Sequence, residues 1–220
     1  MQATSANVPY PNVIGIVAEI LQGKKRNLKF GDYKWRVLDV QSDKALLITE
    51  GVIEERPYNK KYRGATWEMC DLRKYLNGEF LRKFTEEERR KITETPIRNA
   101  DNLWYGTPGG DDTVDKIFLL SLEEVDRYFG DSGDYLNKRR KTDDNGELVA
   151  DSDGYSFSNA HDSDRVAKFG NDTWWWLRSP GGGSCSAADV NLDGDVYVLG
   201  FDVDDLSGGV RPAFWLNLKS

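Results

Sequence analysis

The chain has 220 residues, of which 30% are charged and 12% aromatic, and its formal net charge is -7. This length suits one sizeable hydrophobic core, so we expect a single domain. No apolar run approaches the ~20 residues of a membrane-spanning helix, so we expect no membrane span. The negative net charge disfavours binding to a phosphate backbone, so we expect no nucleic acid partner.

Residues 1–27 are interpreted as an N-terminal extension and residues 28–220 as the domain. The apolar residues 13–21 lack a basic leader and include Glu19, so we identify no signal peptide. Two cysteines are too few for a disulfide framework and are expected to be free thiols. We expect synthesis in the cytoplasm, with display on a phage particle or a cell surface left open.

The first part of the domain predicts a hairpin followed by a helix. Residues 33–40 alternate as in a strand, and residues 45–49 follow after a turn, which together predict a β-hairpin. Thr66 is expected to start a helix that Gly78 ends.

Two capping boxes predict the starts of further helices. Thr85-x-x-Glu88 and Ser121-x-x-Glu124 each place a hydroxyl three residues before a glutamate, the pattern of a helix N-terminus. Between them, the apolar residues 116–120 predict a short buried strand.

Residues 130–172 are polar and poor in periodicity, which predicts a long surface excursion. His161, the only histidine of the chain, lies there beside Asp162 and Asp164. Without a second histidine or an obvious nucleophile, a hydrolytic triad is weakly supported. An ordinary loop histidine is the favoured interpretation.

Residues 181–210, GGGSCSAADVNLDGDVYVLGFDVDDLSGGV, use a restricted alphabet. They contain no Lys, Arg, Glu, Gln, Met, Trp or His, although 30 Lys or Arg in 220 residues would place about four in such a window. Every type present can be encoded by a codon that ends in a pyrimidine, whereas Lys, Glu, Gln, Met and Trp cannot. The plainer alternative is a Gly- and Asp-rich loop region that is low in complexity by chance.

Several motifs carry a family resemblance: TWWWLRSPG at 173–181 and GVRPAFWLNL at 209–218, with FGDYKWRVLDVQ, TWEMCDLRKYLNGEF and DKIFLLSLEEV upstream. The chain resembles, over about residues 28–218, a widespread bacterial and phage domain of unknown function. Its fold is similar to the C-type lectin fold in the formylglycine-generating-enzyme-like variant. The resemblance implies a single α+β domain of that fold.

Some members of this group are variable proteins of diversity-generating retroelements. In those, an error-prone reverse transcriptase randomises the adenines of a template repeat, so Asn codons scatter into other pyrimidine-ending codons. The resemblance thus implies a variable region at about 181–209 that binds a macromolecular ligand, with protein the favoured class, and neither catalysis nor a cofactor. The alternatives are an enzyme relative of the formylglycine-generating type, for which no matching pair of catalytic cysteines is present, or a calcium- or sugar-binding lectin-like module.

The candidate ligand-binding residues are polar and aromatic positions of this region together with two leucines. In the run 195–203, alternation puts Val196 and Val198 on one face and the aromatic anchors on the other; the alternative is that all are core. The candidates are Ser184, Cys185, Ser186, Asp189, Asn191, Leu192, Asp193, Asp195, Tyr197, Leu199, Phe201, Asp202, Asp204, Asp205 and Ser207. The expected invariant scaffold comprises Val190, Gly194, Val196, Gly200 and Val203.

A weak calcium alternative uses Asp189, Asn191 and Asp193, which match the front of an EF-hand-like loop. The twelfth position of that loop requires a bidentate Glu and is Gly200, so no metal site is expected.

The three tryptophans at 174–176 could form a sugar-stacking platform. If these residues alternate as in a strand, Trp174 and Trp176 face solvent together, or Trp175 faces solvent alone. Packing in the core is the favoured interpretation.

Overall fold

Two main sheets organise the protein, whose computed structural model describes residues 15, 17–19, 22, 27–130, 141–142, 148–149, 156–157 and 160–219. The described part is a single α+β domain, mostly strands with few helices. Its strands are β1 (Asn27–Phe30), β2 (Tyr33–Gln41), β3 (Lys44–Thr49), β4 (Glu54–Glu55), β5 (Thr95–Ile97), β6 (Thr113–Asp115), β7 (Lys141–Thr142), β8 (Leu148–Val149), β9 (Ser156–Phe157), β10 (Ala167–Phe169), β11 (Asn171–Thr173), β12 (Trp175–Pro180), β13 (Ser186–Val190), β14 (Val196–Asp202), β15 (Gly209–Val210) and β16 (Ala213–Asn217).

The first sheet has the order β1-β2-β3-β16. Its β2–β3 hairpin confirms the hairpin predicted from alternation. The C-terminal strand β16 pairs with β3, which brings Phe214 opposite Leu47. Under this sheet, Trp35 packs edge-on against Phe214 with ring centroids 4.5 Å apart, so both ends of the domain share one aromatic core.

The second sheet has the order β4-β15-β12-β13-β14-β9 and contains the restricted segment. Strands β13 and β14 form an antiparallel hairpin beside β12, while β15 pairs in parallel with β12. Within the segment 181–210, residues 186–190, 196–202 and 209–210 are strands of this sheet, and the other residues form the turns and loops that connect them.

Both predicted capping boxes are present in the structure. They start α2 (Glu86–Lys91) and α3 (Leu122–Phe129), and in each the hydroxyl accepts from the glutamate N–H while the glutamate carboxylate accepts from the cap N–H. The α3 helix ends at Gly130 in the left-handed conformation. Two further α-helices are α1 (Asp71–Tyr75) and α4 (Asp162–Arg165).

The helix predicted between Thr66 and Gly78 is wrong at both ends. Cys70 caps α1, and the winding continues through Gly78 as a π-helical turn, Leu76–Phe80, and a 3-10 turn, Leu81–Lys83. Burial of Leu76 and Phe80 explains the continuation, because tertiary packing outweighs the glycine signal.

The strand predicted at 116–120 is buried but is not a regular strand. Phe118 makes an isolated bridge with Ala213, while the strand lies just before it as β6, paired with β5. The predicted surface excursion 130–172 also includes ordered elements, among them β9, α4 and the β10–β11 hairpin. The rest of that excursion lies outside the described residues.

Val17 shows that the predicted N-terminal extension contributes to the domain. Its side chain is only 3% exposed and belongs to the hydrophobic core. The first strand also begins one residue earlier than the predicted boundary, at Asn27. Among the helices of the described residues, none is long and apolar enough to cross a membrane.

Candidate functional site

The β13–β14 hairpin depends on two glycines in the left-handed region. Gly194 closes the turn at φ 94°, where Asn191 N–H donates to Asp195 O at 2.8 Å, and a β-carbon on Gly194 would collide with Asp162 O. Gly200 has φ 77°, and a β-carbon there would collide with Ala187 O. Both predicted scaffold glycines are thus required by the backbone.

The other predicted scaffold positions are buried valines. Val190, Val196 and Val203 are all fully buried, and Val190 pairs directly with Val196 on the core face of the hairpin. The scaffold of the restricted segment is therefore fixed by packing on one face and by backbone conformation at its bends.

Period-2 alternation along β14 is confirmed. Val196 and Val198 are buried, whereas Tyr197 and Leu199 are half-buried and Phe201 is 37% exposed. The strand therefore presents its larger side chains away from the main core.

An aromatic face runs across the outer side of the sheet, formed by Trp174, Trp176, Tyr197 and Phe201. The ring of Phe201 lies 4.8 Å from that of Trp174 and 5.5 Å from that of Tyr197, and Trp174 stacks edge-on against Trp176 at 4.6 Å. Trp174 is half-buried, while Trp176 is fully buried beneath the face. The aromatic face is thus a layer with one buried and three accessible rings.

The candidate ligand-binding residues reach the surface, with the exception of Asp189. Those exposed are Ser184, Leu192, Asp193, Phe201, Asp202 and Ser207. Those half-buried are Cys185, Ser186, Asn191, Asp195, Tyr197, Leu199, Asp204 and Asp205. These positions occupy the two ends of the hairpin as well as its outer face.

Backbone contacts show which of them come together. Val203 N–H donates to Cys185 O at 2.9 Å, so the loop before β13 and the loop after β14 meet at one end of the hairpin. The turn at 191–195 lies at the other end, where Gly194 O accepts from the buried Arg165 guanidinium at 2.7 Å. The candidates near the Cys185–Val203 contact therefore form an acidic group beside the aromatic face. Those of the turn 191–195 form a separate group at the other end of the hairpin.

Asp189 was predicted to be at the binding surface, and that placement is wrong. It lies in β13 between Trp176 of β12 and Tyr197 of β14, fully buried, and neither carboxyl oxygen has a hydrogen-bond partner. Directly paired residues share a face of the sheet, so Asp189 belongs to the aromatic face. Burial raises the pKa of its carboxyl group well above the usual range.

The weak calcium alternative does not fit this geometry. Asp189 is held in the strand between two rings, whereas Asn191 and Asp193 lie in the turn beyond it. Within the described ranges, no three His, Cys, Asp or Glu side chains are grouped so that they could hold a metal ion.

The burial of the three tryptophans at 174–176 does not alternate from one residue to the next. Trp175 and Trp176 are both fully buried, because β12 is central and covered on both faces. Their indole N–H groups donate to Arg165 O at 3.1 Å and Arg56 O at 2.9 Å. Core packing is confirmed for these two, and a sugar platform built on Trp176 is excluded.

Two loops outside the restricted segment border it, and no pattern in their residues predicts this position. The Asn102 amide donates to Pro180 O at 2.9 Å and to Val198 O at 3.1 Å. Ala65 N–H donates to Ser184 O at 2.9 Å, next to Tyr62, which is 62% exposed. A partner bound to the hairpin end would therefore also meet residues of loops 59–65 and 102–107.

The cysteines and the histidine offer little support for nucleophilic chemistry. Burial raises the pKa of the Cys70 thiol to about 12, which keeps it protonated at neutral pH. Cys185 is a half-buried free thiol. His161 lies near the surface, with Nδ1 3.4 Å from an Asp164 carboxylate oxygen.

Comparison with known proteins gives one match. Residues 42–218 match a family described as a domain of unknown function (DUF6273). No curated protein and no solved structure shows significant similarity to the chain.

Proposed function

The chain belongs to this family of domains of unknown function, and we propose that it is a ligand-binding protein whose C-terminal surface is diversified to recognise varied targets. The favoured ligand is a protein. The diversified positions are those of the variable region, 181–209, and the protein performs no catalysis in this proposal.

The observation that carries the proposal is how residue types are sorted within the restricted segment. With the exception of Asp189, buried positions and the bends at Gly194 and Gly200 hold Val, Ala and Gly. Apart from Gly182 and Gly183, the other exposed and half-exposed positions hold Ser, Cys, Asp, Asn, Tyr, Phe and Leu. A low-complexity loop has no reason to separate its residue types in this way.

The exposed positions also argue for a filter that acts on codons. Lys and Glu are ordinary residues at exposed sites, and they are frequent elsewhere in the chain. In this segment neither type occurs, even at exposed positions such as Asp193, Asp202 and Ser207. Folding does not forbid Lys or Glu at such sites. Randomisation of Asn codons, which leaves the third base a pyrimidine, accounts for their absence.

The scaffold supports the same proposal. The motifs TWWWLRSPG and GVRPAFWLNL form the buried strands β12 and β16 that flank the variable hairpin in the chain. We infer that this scaffold is a C-type lectin fold of the formylglycine-generating-enzyme-like variant, as its motifs imply.

Sequencing the locus tests the proposal. We expect a near-identical repeat close to the gene, beside a gene for a reverse transcriptase, that differs from the coding segment only where the repeat carries adenine. Codons for Val190, Gly194, Val196, Gly200 and Val203 should be unchanged. Absence of the repeat, or differences spread evenly over all four bases, would refute diversification.

A further inference from the structure

Asp189 is the residue of the aromatic face that folding leaves unexplained. It is fully buried, and both of its carboxyl oxygens lack a hydrogen-bond partner. A buried polar group without a partner destabilises the folded state, and a buried charge does so more strongly. The neighbouring Trp176 does not compensate, because its indole N–H donates to Arg56 O.

The proposed function, on which this inference rests, supplies a reason for an aspartate here. Asp189 is one of the positions expected to descend from an Asn codon, and a change of the first base alone converts AAC or AAT into an Asp codon. Selection on a diversified position acts through the ligand. A residue that the fold disfavours can therefore persist because it improves binding.

The surroundings of Asp189 favour a cation as the complementary group. Its register partners present aromatic rings, and ring faces attract cations electrostatically. Asp202, Asp204 and Asp205 add negative charge at the adjoining end of the hairpin, and residues 181–210 contain no Lys or Arg. An anionic group would be repelled there, and a neutral apolar group would leave the buried carboxyl without a partner.

We propose that the aromatic face binds an arginine side chain of a protein partner, with Asp189 as its counter-ion. The guanidinium stacks on the rings of Tyr197 and Phe201, whose centroids are 5.5 Å apart. Contact with the fully buried carboxyl group requires the ring of Tyr197, its cross-strand partner, to move aside. The ionised carboxylate then pairs with the guanidinium, and any proton that Asp189 carries passes to solvent. Arginine is preferred to lysine because its planar fork both stacks on rings and pairs with a carboxylate.

Two short peptides test this site on the full chain. The probes are acetyl-Gly-Arg-Gly-amide and the same peptide with citrulline, a neutral isostere of arginine. Binding is followed by tryptophan fluorescence, for which Trp174 on the aromatic face is a natural reporter. We expect the arginine peptide to bind at least about tenfold more tightly than the citrulline peptide.

Two variants separate the contribution of the Asp189 carboxyl group from that of the overall negative charge of the protein. Asp189→Asn should bring the two peptides to nearly equal affinity. Glu94→Gln, which removes an exposed acid outside the restricted segment, should keep the preference because exposed charges are screened. Asp189→Ala provides the same readout if the Asn variant is not folded at the assay temperature.

Four outcomes distinguish the arginine site from the proposed function. Equal binding of both peptides by the unmodified protein, or a preference that survives in folded Asp189→Asn, overturns the arginine site. A template repeat at the locus without an arginine preference refutes this inference and leaves the proposed function standing. An arginine preference without a repeat supports the site and refutes diversification.

Discussion

Two buried ionisable residues show how differently single positions are accommodated. Arg211 is fully buried, and its guanidinium donates to Thr49 O, Glu50 O and Arg165 O. Burial lowers its pKa to about 9, which still leaves it charged at neutral pH. Asp189 is equally buried but has no hydrogen-bond partner. Arg211 is therefore part of the scaffold, whereas Asp189 costs stability unless a ligand compensates it.

The substitution Asp189→Asn should stabilise the protein at neutral pH. Burial raises the folded-state pKa of Asp189 above its unfolded value, near 3.8. The contribution of this group to stability is therefore complete below that unfolded value and is lost as pH rises towards and through the folded pKa. An amide does not ionise, so the variant should melt several degrees above the unmodified protein at pH 7 and converge with it near pH 4.

Melting temperatures between pH 4 and pH 7 check this prediction. Asp202→Asn is the control, because Asp202 is exposed and no such divergence is expected. Parallel pH profiles for the unmodified protein and Asp189→Asn would show that the carboxyl group finds a partner in solution.

At the scale of the element, strand β14 serves two surfaces at once. Its residues alternate between the core, where Val196 and Val198 are buried, and the outer side, where Tyr197 and Phe201 join the aromatic face. One short strand therefore contributes to the core and to the outer surface without sharing positions between them.

This division predicts a split response to mutation within β14. Val196→Ala should cost about 2–4 kcal/mol because it leaves a cavity in the core. Phe201→Ser should cost less than about 1 kcal/mol, since the ring is already partly in solvent. Chemical denaturation of the two variants measures both values, and a large loss for Phe201→Ser would place that ring in the core and remove it from the binding surface.

At the scale of the whole molecule, local signals predicted local structure. The capping boxes at Thr85 and Ser121 and the β2–β3 hairpin could be predicted because their determinants lie within a few residues of one another. The helix end predicted at Gly78 is wrong because packing against residues distant in the sequence continues the helical winding through this glycine. The alternation of β14 correctly predicted its outward residues, but the burial of Asp189 depends on rings from two other strands, which its own sequence context does not reveal.

The global fold should not depend on calcium. The residues that resemble a calcium loop are divided between a strand and a turn, and the position for the closing ligand is Gly200. Addition of a chelator such as EDTA should therefore leave the melting curve of the protein unchanged. A melting temperature that rises with calcium concentration would instead demonstrate a bound ion.

The outer edge of β14 is protected from pairing with strands of other molecules. At Val196 and Tyr197 this edge pairs with β9, while Val198 O accepts from the Asn102 amide and Leu199 O accepts from Gly182 N–H at 2.7 Å. An unpaired edge would invite strands of other molecules, whatever side chains it carried. Because these contacts come from β9, Asn102 and the backbone of Gly182, they do not depend on which side chains β14 presents. If the surface is diversified as proposed, copies that differ in these side chains would all keep this edge from pairing with the strands of other molecules.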